Sequence, residues 1–233
     1  AQCKYHGFQD TRGGGHFSGR ITAALVAAGA ICHAALQEKG VFIGTHLSRC
    51  AGVEDRAFGD LKADIKRLSE KPFPALSEEA GESMQKAIAA AAAEGDSVGG
   101  VLETAVIGLP AGVGEPWFDT VEGVLAHMLF SVPAVKGVEF GLGFGSARLH
   151  GSENNDPFAV EDSKIVTTAN RAGGILGGIT TGMPVTLRVA VKPTPSISRP
   201  QRTVSLSAME DAELVIRGRH DPCIAHRAVP VVE

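Results

Sequence analysis

Arg12 to Arg20, reading RGGGHFSGR, brings together the parts of an anion site. Its glycines let backbone N–H groups approach a ligand closely. The helical pattern that follows supplies the partial positive charge of a helix N terminus. Arg12 and Arg20 add full charges at either end. A glycine turn flanked by two solvated arginines accounts for the same residues, so both readings stand at this point.

A second cluster runs from Gly218 through Arg219, His220, Asp221, Pro222 and Cys223 to His226 and Arg227. His220, Cys223 and His226 sit three residues apart, a spacing that invites a metal reading. Structural zinc normally needs a fourth ligand in a recognisable pair, and no CxxC occurs, so metal is not expected. The alternatives are an arginine-rich loop that grips a carboxylate or phosphate and a plain surface loop after a strand. Gly141-Leu142-Gly143-Phe144-Gly145 has the look of a dinucleotide fingerprint, but no helical pattern follows it; a bulge or tight strand turn fits better. Ser18 lacks the spacing of a nucleophile elbow. His127 falls on an apolar helix pattern and reads as a packed core histidine.

These residues need elements to hold them. Ile21, Ala24, Leu25, Ala28, Ile31 and Ala35 recur at helical spacing, with Ser18 as a cap and Gly40 after the last turn. Val41 to Leu47 alternates as a strand does. A charged helix is expected around Asp60 to Leu68, and another from Ser77 through the Ala-rich stretch to Gly95. Val101 to Leu109 reads as a buried strand. Asp119 with Glu122 forms a capping box for a helix carrying Val124, Leu125, Met128 and Leu129. Residues 151–162 read as a polar surface loop. In Thr186 to Val191, Leu187, Val189 and Val191 share one face and Arg188 the other. A basic loop follows (Lys192, Pro193, Thr194, Pro195, Ser196), then a short strand near Thr203. Strands and helices mix without a βαβ rhythm, which gives an α+β class in one domain covering residues 1–233.

The chain has 233 residues and a net charge of −4, so nothing in its overall charge attracts nucleic acid or membrane. Any anionic ligand depends on local Arg and Lys. No uninterrupted apolar run is expected to reach membrane-spanning length, Ala87 to Ala93 being too weakly hydrophobic. The four scattered cysteines, Cys3, Cys32, Cys50 and Cys223, read as reduced thiols of a cytoplasmic protein.

Seven segments in order resemble the chorismate synthase family: RGGGHFSGR, EGDSVGG (94–100), GLPAGVGEPWFD (108–119), AVKGVEFG (134–141), AGGILGGITTG (172–182), VKPTPSI (191–197) and GRHDPCIAHRAVP (218–230). The resemblance implies a β-α-β sandwich of helices and antiparallel sheets. It implies a lyase that converts 5-enolpyruvylshikimate 3-phosphate to chorismate and phosphate with reduced FMN, as a cytoplasmic homotetramer that binds neither nucleic acid nor membrane. Carried over by position, FMN contacts fall at His16, Phe17, Ser18, Pro133, Ala134, Gly177, Lys192, Pro193, Thr194, Pro195, Ser196 and Arg219, and Arg20 faces substrate. His16 and Phe17 stand where the family commonly has Arg and Ser. Pro133 replaces a commoner Asn, removing an amide and a backbone donor. The family's Ser-His-Gly and Pro-Gly-His-Ala-Asp motifs, whose histidines do acid–base work, match nothing here. The expectation is therefore a middle and C-terminal part, incomplete at both ends, with its catalytic histidines outside the chain.

Overall fold

The computed structural model describes every residue except 11–13 and 219, and leaves the side chain of His16 undescribed. A short helix, α1 (Gln2–Tyr5), and two 3-10 turns (Gly15–Phe17 and Gly19–Ile21) lead into α2 (Thr22–Glu38). The Ser18 hydroxyl accepts the Arg20 N–H, so Ser18 caps the second turn and not α2. The chain then reverses into β1 (Phe42–Cys50) and a short β2 (Val53–Glu54). Helix α3 (Leu61–Ser69) starts where Asp60 accepts from Ala63 N–H, and α4 (Glu78–Ala93) where Ser77 accepts from Ala80 N–H.

Next come β3 (Gly100–Ile107) and α5 (Val121–Ser131). The expected capping box at Asp119 gives way to Thr120, whose hydroxyl accepts from Gly123 N–H at 2.9 Å. Asp119 already belongs to a 3-10 turn, whereas Thr120 has the extended backbone that an N-cap requires. Then follow β4 (Val135–Phe140), a 3-10 turn (Gly143–Arg148) where no dinucleotide-type helix forms, and α6 (Gly151–Asn154). The expected polar loop is thus partly regular: α6 leads into the exposed hairpin of β5 (Phe158–Glu161) and β6 (Lys164–Thr167). The chain ends with β7 (Ile175–Leu176), β8 (Ile179–Thr180), β9 (Val185–Val191), β10 (Gln201–Ser205), β11 (Glu210–Leu214) and α7 (Ala225–Val232).

One antiparallel sheet of five strands, ordered β2-β1-β3-β9-β4, organises the protein. Its register aligns Leu47, Leu102, Val189 and Val138 across four strands. Strand alternation puts these residues on one face with Leu187, Val191 and Val135, and the core forms between this face and α5 and α7. A bulge after Leu47 keeps Cys50 on the same face. The opposite face is more polar. Glu139 pairs there with Arg188, and α3 covers β1 where Gly44 leaves room for Ile65 (an added Cβ would stand 2.7 Å from Ile65 Cγ1).

The class is α+β, and the described residues form one sheet and the helical layer of a sandwich. The remaining strands pair only as the hairpins β5–β6, β7–β8 and β10–β11. Helix α2 turns Leu25, Val26, Gly29, His33 and Leu36 partly inward, while Ile21, Ala24, Ala28, Ile31 and Ala35 are exposed. All of the periodic residues but Leu25 therefore lie on the outer face of a helix that is apolar all round, the pattern of a helix covered on both sides. Its run Gly19–Glu38, with a mean hydropathy of 1.5, is long and apolar enough to cross a membrane by length and composition. That corrects the expectation that no run reaches this length. His127 is exposed on α5 and is not a core residue, because α5 points Leu125 and Leu129 inward instead.

Candidate functional site

Segments far apart in sequence converge at the end of the sheet where β1 and β9 finish and β3 and β4 begin. Residues 94–100 are the hub. Ser97 donates its hydroxyl to the Thr194 carbonyl at 2.7 Å, and Ser198 N–H donates to the Gly95 carbonyl at 3.0 Å. Val98 N–H donates to the Pro222 carbonyl at 2.8 Å. Two of the three glycines of this hub, Gly99 and Gly100, are required by contact. A Cβ on Gly99 would stand 2.5 Å from the Val191 carbonyl, and one on Gly100 would stand 3.0 Å from Ala225 Cβ. Lys192 N–H donates to the Ala134 carbonyl at 3.0 Å, which fixes the basic loop beside the turn between α5 and β4. Ala134 takes a positive φ of 74° in that turn.

The structure thus brings Pro133 and Ala134 together with Lys192, Pro193, Thr194, Pro195 and Ser196. Phe17, Ser18 and Arg20 lie in and between the two 3-10 turns that precede α2. The Arg20 guanidinium donates to the Ser18 hydroxyl at 3.2 Å. Arg12, Arg219 and the His16 side chain lie outside the described residues. Gly177 is not part of the cluster. It sits in the β7–β8 turn with a φ of 61°, in a second cluster where Gly178 accepts from Val121 N–H and Gly141 packs its backbone on Gly173. That cluster lies at the opposite end of β9, roughly 20 Å along the strand.

Charge at the first cluster is selective. Arg199 is neutralised by Asp96 at 2.8 Å and Arg227 by Asp221 at 2.9 Å. Lys192 is exposed, and among the described residues no carboxylate lies within ion-pair distance of it. An uncommitted lysine beside a glycine-lined hub fits a phosphate-bearing ligand such as FMN. A cavity of about 540 Å³ also lies between α2, α5, α7 and the sheet, lined by Leu25, Gly29, Met128, Leu187 and Val231. It is apolar and separate from the loops of the cluster.

Sequence reasoning missed one buried polar network. The His46 and Asp55 side chains are fully buried, and His46 Nδ1 lies 2.9 Å from Asp55 Oδ2, with Nε2 2.9 Å from Glu103 Oε2. Two carboxylate partners make both ring nitrogens donors, which is the imidazolium form. Burial pushes the His46 pKa down, but the hydrogen bonds and charges of Asp55 and Glu103 outweigh it, and the net shift is upward. For Asp55, burial pushes upward, and the His46 bond with the Leu76 and Ser77 N–H donors outweighs it, so the net shift is downward. Nearby, Arg56 holds the Asp64 carboxyl at about 2, against a smaller upward push from burial. Only strand alternation hinted at His46. Its partners come from a loop and a neighbouring strand, which spacing does not reveal.

Comparison with known proteins agrees with this architecture. The family profile of chorismate synthase matches residues 1–233. Chorismate synthase of Dehalococcoides mccartyi (strain ATCC BAA-2100 / JCM 16839 / KCTC 5957 / BAV1) is 52% identical over 232 residues, covering 99% of this chain and 63% of that protein. That of Pyrococcus abyssi (strain GE5 / Orsay) is 49% identical over 233 residues, covering 100% and 64%. A crystal structure of chorismate synthase superposes with a TM-score of 0.75 at 31% identity, covering 82% of this chain and 61% of the other. The chain spans a little under two thirds of the length of these relatives. The sheet, its helical layer and the profile match over the whole chain agree: it belongs to the chorismate synthase family.

Proposed function

We propose that this chain forms part of a cytoplasmic chorismate synthase, a lyase that converts 5-enolpyruvylshikimate 3-phosphate to chorismate and phosphate with reduced FMN. The observation that supports this most is the convergence of residues 94–100, 133–134, 191–198 and 220–224 around the uncommitted Lys192. Lys192, Pro193, Thr194, Pro195, Ser196, Pro133 and Ala134 would hold FMN, with Phe17, Ser18 and His16 approaching from α2, and Arg219 adding charge. Reduced FMN, when bound, supplies electron density that helps phosphate leave. Arg20 binds and orients the substrate's anionic groups, and Lys192 places a full positive charge beside the phosphate-bearing ligand. Such fixed charges favour the departing anion without a proton transfer. Pro133 offers no backbone donor, so contact there is made by carbonyl and ring atoms.

Flavin fluorescence on titration with FMN is expected to show saturable binding that weakens on Lys192→Ala. A folded sample that shows no saturation would overturn the cofactor assignment.

The second reading is a folded, inactive FMN- or anion-binding piece of the enzyme; the relatives' greater length favours it for these 233 residues taken alone. The apolar outer face of α2, with Ile31 75% exposed, supports assembly into a homotetramer. Light scattering is expected to give a mass above that of the monomer at micromolar concentration. A clean monomer would contradict this.

A further inference from the structure

Cys50 and Cys223 are both fully buried, and their sulfurs lie 3.9 Å apart although 173 positions separate them in sequence. Cys50 ends β1 on the inner face of the sheet. Cys223 immediately precedes Ile224, the residue that caps α7. We infer that these two thiols are a modification site, a pair that hydrogen peroxide oxidises to a disulfide joining β1 to the start of α7.

The Cys223 sulfur is the attacking group. Its pKa falls to about 5, first because the Cys50 thiol hydrogen-bonds to it; burial opposes the shift, and the His226 side chain with the Ala225 and His226 N–H groups adds to it. Cys50 moves the other way, raised first by the hydrogen bond it donates to Cys223 and then by burial. The contact between the two sulfurs lets them share a proton, which favours thiolate character on Cys223.

The Cys223 thiolate attacks one peroxide oxygen. An S–O bond forms, the O–O bond breaks, and hydroxide leaves and takes up a proton as water. The Cys50 sulfur then gives up its proton and attacks the Cys223 sulfur; an S–S bond forms, the S–O bond breaks, and a second water departs. The two thiols together lose two electrons and two protons, and peroxide is reduced to two waters.

A disulfide bond is about 2 Å long, so the sulfurs must close by roughly another 2 Å. Side-chain rotation and small shifts of residues 220–224 supply this. That segment is held to its surroundings by the Val98–Pro222 hydrogen bond and the Asp221–Arg227 pair. Cys3 and Cys32 are exposed and, in the unsubstituted protein, calibrate the peroxide dose.

The test uses hydrogen peroxide on the Cys3→Ser, Cys32→Ser protein, followed by catalase, denaturation, alkylation and peptide mass mapping. The expected result is a linked Cys50–Cys223 peptide, 2 Da lighter than its reduced parts, with neither thiol alkylated. The melting temperature should rise by about 5–15 °C and return on treatment with dithiothreitol. In Cys50→Ser, dimedone should trap Cys223 as a sulfenic acid. The proposal fails if both thiols stay fully alkylatable at a peroxide dose that oxidises Cys3 and Cys32 in the unsubstituted protein. It fails equally if Cys223 advances to the sulfinic acid with no cross-link. Neither outcome depends on the variant folding, because both are read on protein that retains Cys50 and Cys223.

Discussion

Asp55→Ala should lower the free energy of unfolding by about 3–5 kcal/mol, the cost of removing one partner from a buried ion pair. The substitution leaves His46 with Glu103 alone and strips the Leu76 and Ser77 N–H groups of their acceptor. Asp55→Asn keeps the shape and an acceptor oxygen but removes the charge, and should fall between alanine and the parent. The pH dependence follows from the two shifts. His46 has a folded pKa above its ordinary 6.5, so its contribution is complete below that value and is lost as pH rises through the higher folded pKa. Asp55 has a folded pKa below its ordinary 3.8, so its contribution is complete above that value and is lost as pH falls through the lower folded pKa. The network is therefore strongest between these two ordinary values. Urea unfolding at about pH 5.5 and pH 8.5 should show the parent losing more stability at the higher pH than Asp55→Ala does. A loss below about 1 kcal/mol in the variant would show that the pair is not the buried charge cluster described.

Arg20→Ala should reduce kcat by about a hundredfold to a thousandfold, the usual cost of removing one fixed charge that stabilises a developing anion. Arg20 stands in the 3-10 turn before α2 with its guanidinium and its own N–H both bonded to the Ser18 hydroxyl, so its position is set before ligand arrives. The measurement belongs in the chain at the full length of its relatives. The proposed activity is that of the longer protein, and positioned general acids typically supply about a hundredfold to ten-thousandfold in rate. The assay is anaerobic, with chemically reduced FMN and phosphate release as the readout. Arg20→Lys should recover part of the rate, since the charge remains while the two-pronged geometry is lost. Unchanged kcat and KM in Arg20→Ala would remove Arg20 from the substrate site. The same assay on the 233-residue chain alone should show little or no turnover.

Much of the local structure was legible because its causes are local. Asp60 and Ser77 announce α3 and α4 through their own side chains. Leu187, Val189 and Val191 alternate because β9 has one buried face, and the structure shows that alternation. The misreadings also have physical reasons. Helix α2 is apolar on both faces, so periodicity could not tell inward from outward. His127 shares its helix with enough apolar neighbours to look buried, yet the packing direction of α5 leaves it exposed. Asp119 and Thr120 are both good caps, and the preceding 3-10 turn decides between them.

By itself the sequence determined the α+β class, the main helices and strands, the glycine-rich loops and the family resemblance, since propensity, alternation and motif order act within a few residues of one another. Only the tertiary structure decided which loops meet. It joined residues 94–100 to 191–198 and 220–224, and set Gly177 at the far end of β9. It also left Lys192 without a carboxylate partner among the described residues, placed His46 between Asp55 and Glu103, and brought Cys50 to Cys223. Each of these depends on strand order in one antiparallel sheet, and that order is set by burial of a shared face, a property of the packed chain and of no single segment.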